Sequence, residues 1–213
     1  MKYSCIVWDW NGTLFEDMLA CIEAMNKLLV QKGLKCISGI DEYRSKFCFP
    51  VKKYYEHLGF NLDIDPFENL AHTYIKNYAI EHKRAQLFNG ATDVLDQLKR
   101  IGVKQCMISA SEQNSLLEQM RPFNISHYFS EVMGIENHYA ISKVNLAKKW
   151  FMKSKVDLSE IVFIGDSVHD FEVATAVGCS CILIANGHQN IDELKTTSAI
   201  IVDNITETVG CIL

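Results

Sequence analysis

The sequence predicts an α/β fold, a doubly wound parallel sheet with a small α-helical domain inserted after its first strand. Three observations predict it. Short apolar runs rich in β-branched residues alternate with helical patterns in the second half of the chain, as in βαβ units. A similar apolar run stands near the N-terminus, and the stretch 15–83 that follows it carries helical spacing only. We therefore expect a Rossmann-like core of residues 1–14 and 84–213 and a helical cap of residues 15–83.

The first elements in chain order are one strand and the helices of the cap. The apolar run 4–8 is predicted as a buried strand. Helical spacing then predicts helices over 18–29, 51–58 and 66–83, and the last two are entered through prolines. No convincing strand pattern occurs within 15–83.

The same two patterns, short apolar runs for strands and helical spacing for helices, predict the rest of the core. Strands joined by helices imply right-handed crossovers and a parallel sheet. The expected helices cover residues 91–101, 112–120, 142–152 and 171–177, and the expected strands cover residues 104–108, 161–164, 181–185 and 199–202.

Composition limits the partners that the protein can have. The 213 residues are 48% hydrophobic and 22% charged, which is ordinary for a globular domain. The formal net charge is −5, whereas sequence-independent binding of nucleic acid depends on clustered cations. There is no run of 18 apolar residues that could cross a membrane. We expect no nucleic-acid or membrane partner, and a monomer or weak dimer.

The eight cysteines are expected to be reduced. They include no CxxC pair, several lie inside apolar runs, and the N-terminus leads directly into the first strand rather than into an export signal. Reduced, buried thiols are typical of cytoplasmic proteins, and we expect that location. The close pair Cys179 and Cys181 is better explained by packing than by metal binding, because no partner ligands stand nearby.

Two carboxylates directly follow predicted strands. Asp9 stands where the first strand enters a turn that contains Gly12, and Asp166 follows the strand 161–164 and Gly165. Open α/β folds form their ligand sites at the carboxyl ends of strands. Magnesium prefers a few carboxylate oxygens and bridges to phosphate oxygens. The pattern therefore predicts a hard-cation site beside an acidic nucleophile.

The residues around these carboxylates resemble the haloacid dehalogenase-like superfamily of hydrolases. The superfamily's first motif, Asp-x-Asp-Gly-Thr, is matched at residues 9–13, which read DWNGT. Its fourth motif, Gly-Asp-x-x-x-Asp, is matched at residues 165–170, which read GDSVHD. The resemblance spans nearly the whole chain, and a small helical cap between the first and second motifs is one cap class of the superfamily. A weaker likeness over residues 87–102 is to phosphoglycolate-phosphatase-like members.

The resemblance implies a magnesium-dependent phosphatase that works through an aspartyl-phosphate. Asp9 would be the nucleophile, since a carboxylate can attack phosphorus and divide one displacement into two easier steps. Mg²⁺ would be held by Asp9, Asp166 and the backbone carbonyl of Asn11. Lys143 would be the third-motif cation that balances their charge. Asp170 would orient metal-bound water or the lysine, and it could also cap the helix that follows.

The same resemblance implies a phosphate-binding set. Thr13 and Ser109 would contribute hydroxyls, together with Ala110 and Lys143. Ser109 follows the strand 104–108, where the superfamily's second motif places Ser or Thr. By itself, Ser109 fits a plain helix N-cap equally well.

Position 11 departs from the superfamily pattern. An Asp there protonates the leaving group and then activates water, whereas an amide can do neither, and losing such a role commonly costs ~10²–10⁴-fold. Several outcomes stay open. One is a slow enzyme, and a second is an enzyme that prefers good leaving groups such as acyl phosphates or phosphoanhydrides. In a third, another side chain supplies the acid–base role. In a fourth, Asn11 only fixes the loop. The candidates for substitution are Glu16, His169, His188 and residues of the cap.

We expect a phosphatase for a small phosphorylated metabolite, with phosphoglycolate the nearest named substrate. One alternative is a phosphoryl transferase such as a sugar-phosphate mutase, which usually needs the acid–base Asp that is missing. Another is a member that binds phosphometabolites or a protein without turnover, and Asn11 is its only support. A dehalogenase is disfavoured, because that branch has no use for the metal motif at residues 165–170.

Two further features have both a functional and a plainer interpretation. The cap cations Arg44, Lys46, Lys52 and Lys53 would suit an anionic substrate, but an exposed helix surface is the simpler interpretation. Residues 187–189, Gly-His-Gln, follow a predicted strand and either contact the site or form an ordinary turn.

Overall fold

The computed structural model describes residues 2–136 and 143–213. The strands are β1 (Cys5–Trp8), β2 (Phe15–Glu16), β3 (Gln86–Leu87), β4 (Lys104–Glu112), β5 (Glu131–Ile135), β6 (Ile161–Gly165), β7 (Ser180–Ile184) and β8 (Ile200–Val202). The α-helices are α1 (Met18–Gln31), α2 (Ile40–Lys46), α3 (Val51–His57), α4 (Phe67–Glu81), α5 (Ala91–Arg100), α6 (Gln113–Met120), α7 (Lys143–Lys153), α8 (Val168–Val177), α9 (Ile191–Leu194) and α10 (Thr208–Ile212).

Six strands form the central sheet in the order β5-β4-β1-β6-β7-β8, and all neighbours are parallel. Strand β1 lies in the interior of the sheet, where Val7 pairs with Cys106 of β4 on one side and Phe163 of β6 on the other. This arrangement confirms the predicted α/β fold with a parallel, doubly wound sheet. The strand order changes direction at β1, and ligand sites of open α/β sheets lie at such a point.

The sheet separates two hydrophobic cores. Successive side chains of a strand point to opposite faces, so Ile6 and Trp8 belong to one core while Cys5 and Val7 belong to the other. All four are fully buried, which is why β1 reads as a continuous apolar run. The rigid centre of the sheet therefore carries the loop that begins at Asp9.

The inserted helices stand between β2 and β3, which pair antiparallel with Phe15 opposite Leu87. Helices α1 and α4 pack along each other, and α1 buries Met25, Leu28 and Leu29 against this partner and the core. The prediction of purely helical structure over 15–83 is wrong at β2, because a two-residue strand is too short to show an alternating pattern. The division at residues 14 and 84 remains a prediction.

Several core elements differ from their predicted extents. Helix α2 and strand β5 were not expected, and β4 continues beyond Ile108 through an irregular register to Glu112. Strand β5 lies at the edge of the sheet and alternates poorly, so periodicity does not reveal it. Helix α8 begins at Val168 rather than at residue 171, while the predicted helix start at Ser142 lies outside the described residues.

All eight cysteines are free thiols. Of these, Cys5, Cys106 and Cys181 are buried in sheet strands. Over the described part of the chain, no helix is both long enough and apolar enough to cross a membrane.

Candidate active site

Three carboxylates meet at the carboxyl edge of the sheet. Strands β1 and β6 are neighbours in register, with Trp8 opposite Ile164, so the residues that follow them emerge side by side. Asp9 follows β1 and Asp166 follows β6. The carboxylate oxygens of Asp9, Asp166 and Asp170 lie within 4.8 Å of one another, and all three side chains are buried. The structure thus brings together the carboxylates predicted from the sequence.

Lys143 supplies the cation of this cluster. It is the first residue of α7, is buried, and its Nζ contacts Oδ1 of both Asp9 and Asp170. Burial alone would lower the pKa of Lys143, but the charges of Asp170 and Asp9 outweigh burial and raise the pKa above its usual value. Lys143 is therefore a charged bridge between the two carboxylates.

Asp170 contacts both the lysine and the start of α8. Its Oδ2 accepts hydrogen bonds from the Ser167 hydroxyl at 2.6 Å and from the backbone N–H of Asp166 at 3.1 Å. Ser167 is the N-cap and Asp170 stands at the third helical position, which makes a capping box. The expectation that Asp170 is itself the N-cap is wrong, since α8 begins earlier than predicted.

The cluster holds more negative than positive charge. Burial raises the pKa of Asp9 to about 7 and that of Asp166 to about 6, and repulsion from Asp170 adds to both. A divalent cation would relieve this repulsion, and carboxylate oxygens are the ligands that Mg²⁺ prefers. The residues present therefore fit the magnesium ion that the sequence pattern implied.

Gly12 allows the loop after β1 to pass directly over Asp166. Its φ of +73° lies in the left-handed region, and a Cβ there would stand 2.3 Å from Oδ2 of Asp166 and 2.4 Å from Cδ2 of His188. Only glycine permits this approach. The next residue, Thr13, is fully buried and its hydroxyl lies 3.4 Å from Oδ1 of Asp166.

The predicted phosphate-binding residues of β4 lie at the same edge. Ser109 is buried inside the strand, and its Oγ accepts a hydrogen bond from the backbone N–H of Ser111 at 3.0 Å. Ala110 is exposed. The N-cap interpretation of Ser109 is wrong, because Glu112 caps α6 with its side chain. Ser109 and Ala110 therefore lie within β4, the strand next to β1.

The amide of Asn11 is held by three partners. Its Nδ2 donates to Oδ2 of Asp17 at 2.8 Å and to the hydroxyl of Tyr78 at 2.9 Å, while its Oδ1 accepts from the Ser111 hydroxyl at 2.7 Å. Tyr78 belongs to α4 and Ser111 to β4. Asn11 thus links the loop after β1 to an inserted helix and to the core sheet.

Asp17 is a buried residue of the site that sequence reasoning missed. Its Oδ2 accepts from the Tyr78 hydroxyl at 2.5 Å as well as from Asn11, and its Oδ1 lies 3.1 Å from Nε2 of His188. Burial would raise the pKa of Asp17, but His188, Tyr78 and Asn11 outweigh it and lower the pKa. A carboxylate just before α1 resembles an ordinary helix cap, so no local signal marked it.

His188 is the predicted acid–base candidate that the structure places in the site. Its backbone N–H donates to Oδ2 of Asp166 at 2.6 Å, and its Nδ1 lies 2.9 Å from the hydroxyl of Tyr43 on α2. Burial would lower the pKa of His188, yet Asp17 and the other carboxylates raise it to about 9. Of the other candidates, Glu16 is exposed on β2, and the ring of His169 packs on Phe49.

Arg44 is the cap cation that reaches the loop carrying His188. Its Nε donates to the carbonyl of Gly187 at 2.8 Å and its Nη2 to the carbonyl of Asn186 at 2.5 Å. Lys46 instead lies 3.8 Å from Glu42, and the remaining two lysines of the predicted cluster, Lys52 and Lys53, are exposed. Arg44 therefore orients backbone rather than presenting a free charge.

Comparison with known proteins agrees with this geometry. A family model described as haloacid dehalogenase-like hydrolase matches residues 6–184. Phosphoglycolate phosphatase of Pseudomonas savastanoi pv. phaseolicola is 21% identical over 97% of this chain and 79% of the relative. Phosphoglycolate phosphatase 1 of Pseudomonas aeruginosa is 21% identical over 97% of this chain and 78% of the relative.

Solved structures share the fold at low sequence identity. A haloacid dehalogenase-like family hydrolase from Streptococcus pneumoniae superposes with a TM-score of 0.86 at 17% identity, covering 100% of this chain and 99% of that one. CbbY from Rhodobacter sphaeroides, in complex with phosphate, superposes with a TM-score of 0.71 at 16% identity, covering 95% and 94%.

Proposed function

The chain belongs to the haloacid dehalogenase-like hydrolase family, as its motifs predicted, and we propose that it is a magnesium-dependent phosphatase for a small phosphorylated metabolite. The observation that carries the proposal is the buried cluster in which Lys143 joins Asp9 to Asp170 beside Asp166. A nucleophilic carboxylate, a cation-binding carboxylate and a buried lysine are the groups that phosphoryl transfer to an aspartate needs.

Asp9 is the proposed nucleophile. Lys143 binds Oδ1 of this carboxylate, which leaves Oδ2 as the oxygen that attacks phosphorus. A bond forms between Oδ2 and phosphorus as the ester oxygen departs, and water then cleaves the aspartyl-phosphate to regenerate the carboxylate. The hydroxyls of Thr13 and Ser109, the backbone at Ala110 and the Lys143 ammonium would bind the phosphoryl oxygens.

Magnesium would be held by the carboxylates of Asp9 and Asp166 and by the backbone carbonyl of Asn11. When bound, the ion neutralises charge on the phosphoryl group and on the carboxylates around it. The side chain of Asn11 points to Asp17 and Tyr78, so an amide at this position leaves the backbone carbonyl in place as a ligand. Asp170 keeps Lys143 and the backbone of Asp166 in position.

His188 is the proposed source of the proton that Asn11 cannot supply. Its imidazole is paired with Asp17 through Nε2, and its Nδ1 faces the Tyr43 hydroxyl, which belongs to a helix of the insert. Substrate would displace that hydroxyl and receive the proton from Nδ1. Because this relay replaces a directly placed carboxylic acid, we expect the fastest turnover with good leaving groups such as acyl phosphates.

Phosphoglycolate heads the list of candidate substrates, because curated relatives that match 97% of the chain carry the name phosphoglycolate phosphatase. The free cysteines support a cytoplasmic location. The formal net charge of −5 is the reason to expect a small-molecule substrate rather than nucleic acid.

The test is magnesium-dependent phosphate release from an aryl phosphate, phosphoglycolate, sugar phosphates and acetyl phosphate. Turnover must disappear in Asp9→Asn and persist in Asp93→Asn, which makes the same change at an exposed position of α5. Activity that survives in Asp9→Asn would exclude the aspartyl-phosphate route. Transfer of the phosphoryl group to a sugar instead of water would establish a mutase.

One observation favours a second candidate function, binding of a phosphometabolite without turnover. Asn11 occupies the acid–base position and is fully engaged by Asp17, Tyr78 and Ser111. If the natural sequence is inactive on every substrate while Asn11→Asp gains activity, the site is complete except for its acid–base group. In that case, binding of phosphate compounds measured by calorimetry becomes the function to pursue.

A further inference from the structure

A second group of metal-ligating side chains lies next to the magnesium cluster. It consists of Asp17, Cys21 and His188, whose carboxylate oxygen, thiol sulfur and imidazole nitrogen lie within 4.8 Å of one another. All three are buried, with 1%, 8% and 7% of their surfaces exposed, respectively. Cys21 has no part in the proposed hydrolysis, so catalysis does not explain why a thiol completes this group.

The separations within the group suit a single ion. Nε2 of His188 lies 3.1 Å from Oδ1 of Asp17, and Sγ of Cys21 lies 3.5 Å from Oδ2 of the same carboxylate. Ligands at about 2.0–2.3 Å from a tetrahedral ion stand roughly 3.3–3.8 Å apart. All three donors lie within 4.8 Å of one another, so small adjustments of their side chains would place them around one centre.

The backbone holds these donors in place before any ion binds. Asp17 and Cys21 are one helical turn apart at the start of α1, and the N–H of Cys21 donates to the carbonyl of Asp17 at 2.9 Å. His188 is presented by the 186–188 loop, which Arg44 binds through two carbonyls. A site on a helix and an anchored loop loses little conformational entropy when it binds a ligand.

The donor types and the charge of the region select the metal. Sulfur, nitrogen and oxygen together are a typical zinc set, whereas magnesium takes oxygen donors. Four carboxylates are buried in this region: Asp9, Asp166 and Asp170 share the Lys143 ammonium, and Asp17 lies against His188. A divalent ion that displaces one proton from the Cys21 thiol and one from the His188 imidazolium keeps the positive charge that these buried carboxylates face.

We propose that Asp17, Cys21 and His188 form a binding site for a thiophilic divalent ion of the zinc type, separate from the magnesium site. The Cys21 thiol and the imidazole ligate the ion through Sγ and Nε2, and both release the protons on these atoms to solvent. The fourth position takes water. The ion takes the Nε2 and the proton of His188, so the ion-bound protein lacks the proposed proton donor, while the backbone N–H of His188 still donates to Asp166.

Cobalt(II) tests the proposal by spectroscopy in the absence of substrate, so the result is independent of whether the protein is a phosphatase. Chelator-treated protein should develop a sulfur-to-cobalt charge-transfer absorption with one equivalent of Co²⁺. One equivalent of Zn²⁺ should remove this absorption, and excess Mg²⁺ should leave it. Cys21→Ser should lose the band, and His188→Gln, as a second variant, should weaken cobalt binding.

Two control variants make the result specific. Cys106→Ser removes another buried thiol, one that contacts the Ser130 hydroxyl inside the sheet, and should keep the band. Asp166→Asn removes a proposed magnesium ligand and should keep it as well. A band that persists in Cys21→Ser, or natural protein that gives no sulfur-to-cobalt band at saturating Co²⁺, would overturn the proposal.

Discussion

The side-chain amide of Asn11 donates a hydrogen bond to the carboxylate of Asp17 over 2.8 Å. Asp17 is almost fully buried and also accepts from Tyr78. A carboxylate at position 11 would lose this hydrogen bond and place a second negative charge beside Asp17. The amide at position 11 is therefore matched to its neighbour, and the departure from the family motif has a local physical reason.

We predict that Asn11→Asp destabilises the protein. Two carboxylates at hydrogen-bonding distance repel each other, and a lost buried hydrogen bond costs about 1–3 kcal/mol. Repulsion from Asp17 raises the pKa of the new carboxyl at position 11 in the folded state above its unfolded value. The loss of unfolding free energy should therefore be small near pH 4 and should grow as pH rises through the folded pKa. Urea denaturation in chelating buffer across this pH range measures it.

The control for this change is Asn190→Asp at the N-cap of α9, where Asn190 accepts from the N–H of Asp192. Asp and Asn cap helices about equally well, so this variant should keep the unfolding free energy of the natural protein. Equal changes in the free energy of unfolding for the two variants at neutral pH would show that Asn11 and Asp17 are not coupled.

Gly12→Ala should be more harmful than Gly33→Ala. Both glycines have left-handed backbones, with φ of +73° and +65°, so both variants bear the conformational cost of about 1–3 kcal/mol. A Cβ at Gly33 meets nothing within 4 Å, whereas a Cβ at Gly12 collides with Asp166 and His188. Chemical denaturation should separate the two variants, and indistinguishable stabilities would contradict the close approach over Asp166.

Lys143→Met should leave Asp9 and Asp170 without their common cation. Removing one partner of a buried ion pair typically costs about 3–5 kcal/mol, because the remaining charge stays desolvated. Urea denaturation in chelating buffer should show this loss of unfolding free energy. The variant should also lose phosphate release. Lys153→Ala, on an exposed position of the same helix, should stay within about 0.5 kcal/mol of the natural protein. A Lys143 variant as stable as this control would refute the bridge.

Magnesium should stabilise the folded protein even without substrate. An ion that binds only the folded state adds about 2.7 kcal/mol at a concentration of 100 times its Kd. Thermal unfolding should therefore shift upward with Mg²⁺ and return after chelation. Asp166→Asn should abolish the shift, while Asp203→Asn, at an exposed aspartate, should retain it. A shift that survives in Asp166→Asn would place the ion elsewhere.

Much of the candidate site could be predicted because its signals are local. Asp9 and Asp166 follow apolar strands directly, and strands with such patterns end at one edge of a parallel sheet. Lys143 was selected from five nearby lysines by its place at the start of a helix, and it is the one that contacts Asp9. The roles proposed for these residues await the experiments above.

Other parts of the structure left no local signal. Strand β5 is a short edge strand without clear alternation, and β2 has two residues. Asp17 and His188 are 171 positions apart and meet only when α1 and the 186–188 loop come together. Neither residue type nor spacing could have paired them.

By itself, the sequence determined the α/β class, the buried strand before Asp9 and the family, because each depends on periodicity or on a short contiguous motif. Only the tertiary structure decided what surrounds position 11. Asp17, Tyr78, Ser111 and His188 come from separate elements, and their contacts depend on how the inserted helices pack against the sheet. Such packing is a property of the whole fold, and it makes Asn11 a partner for a buried carboxylate.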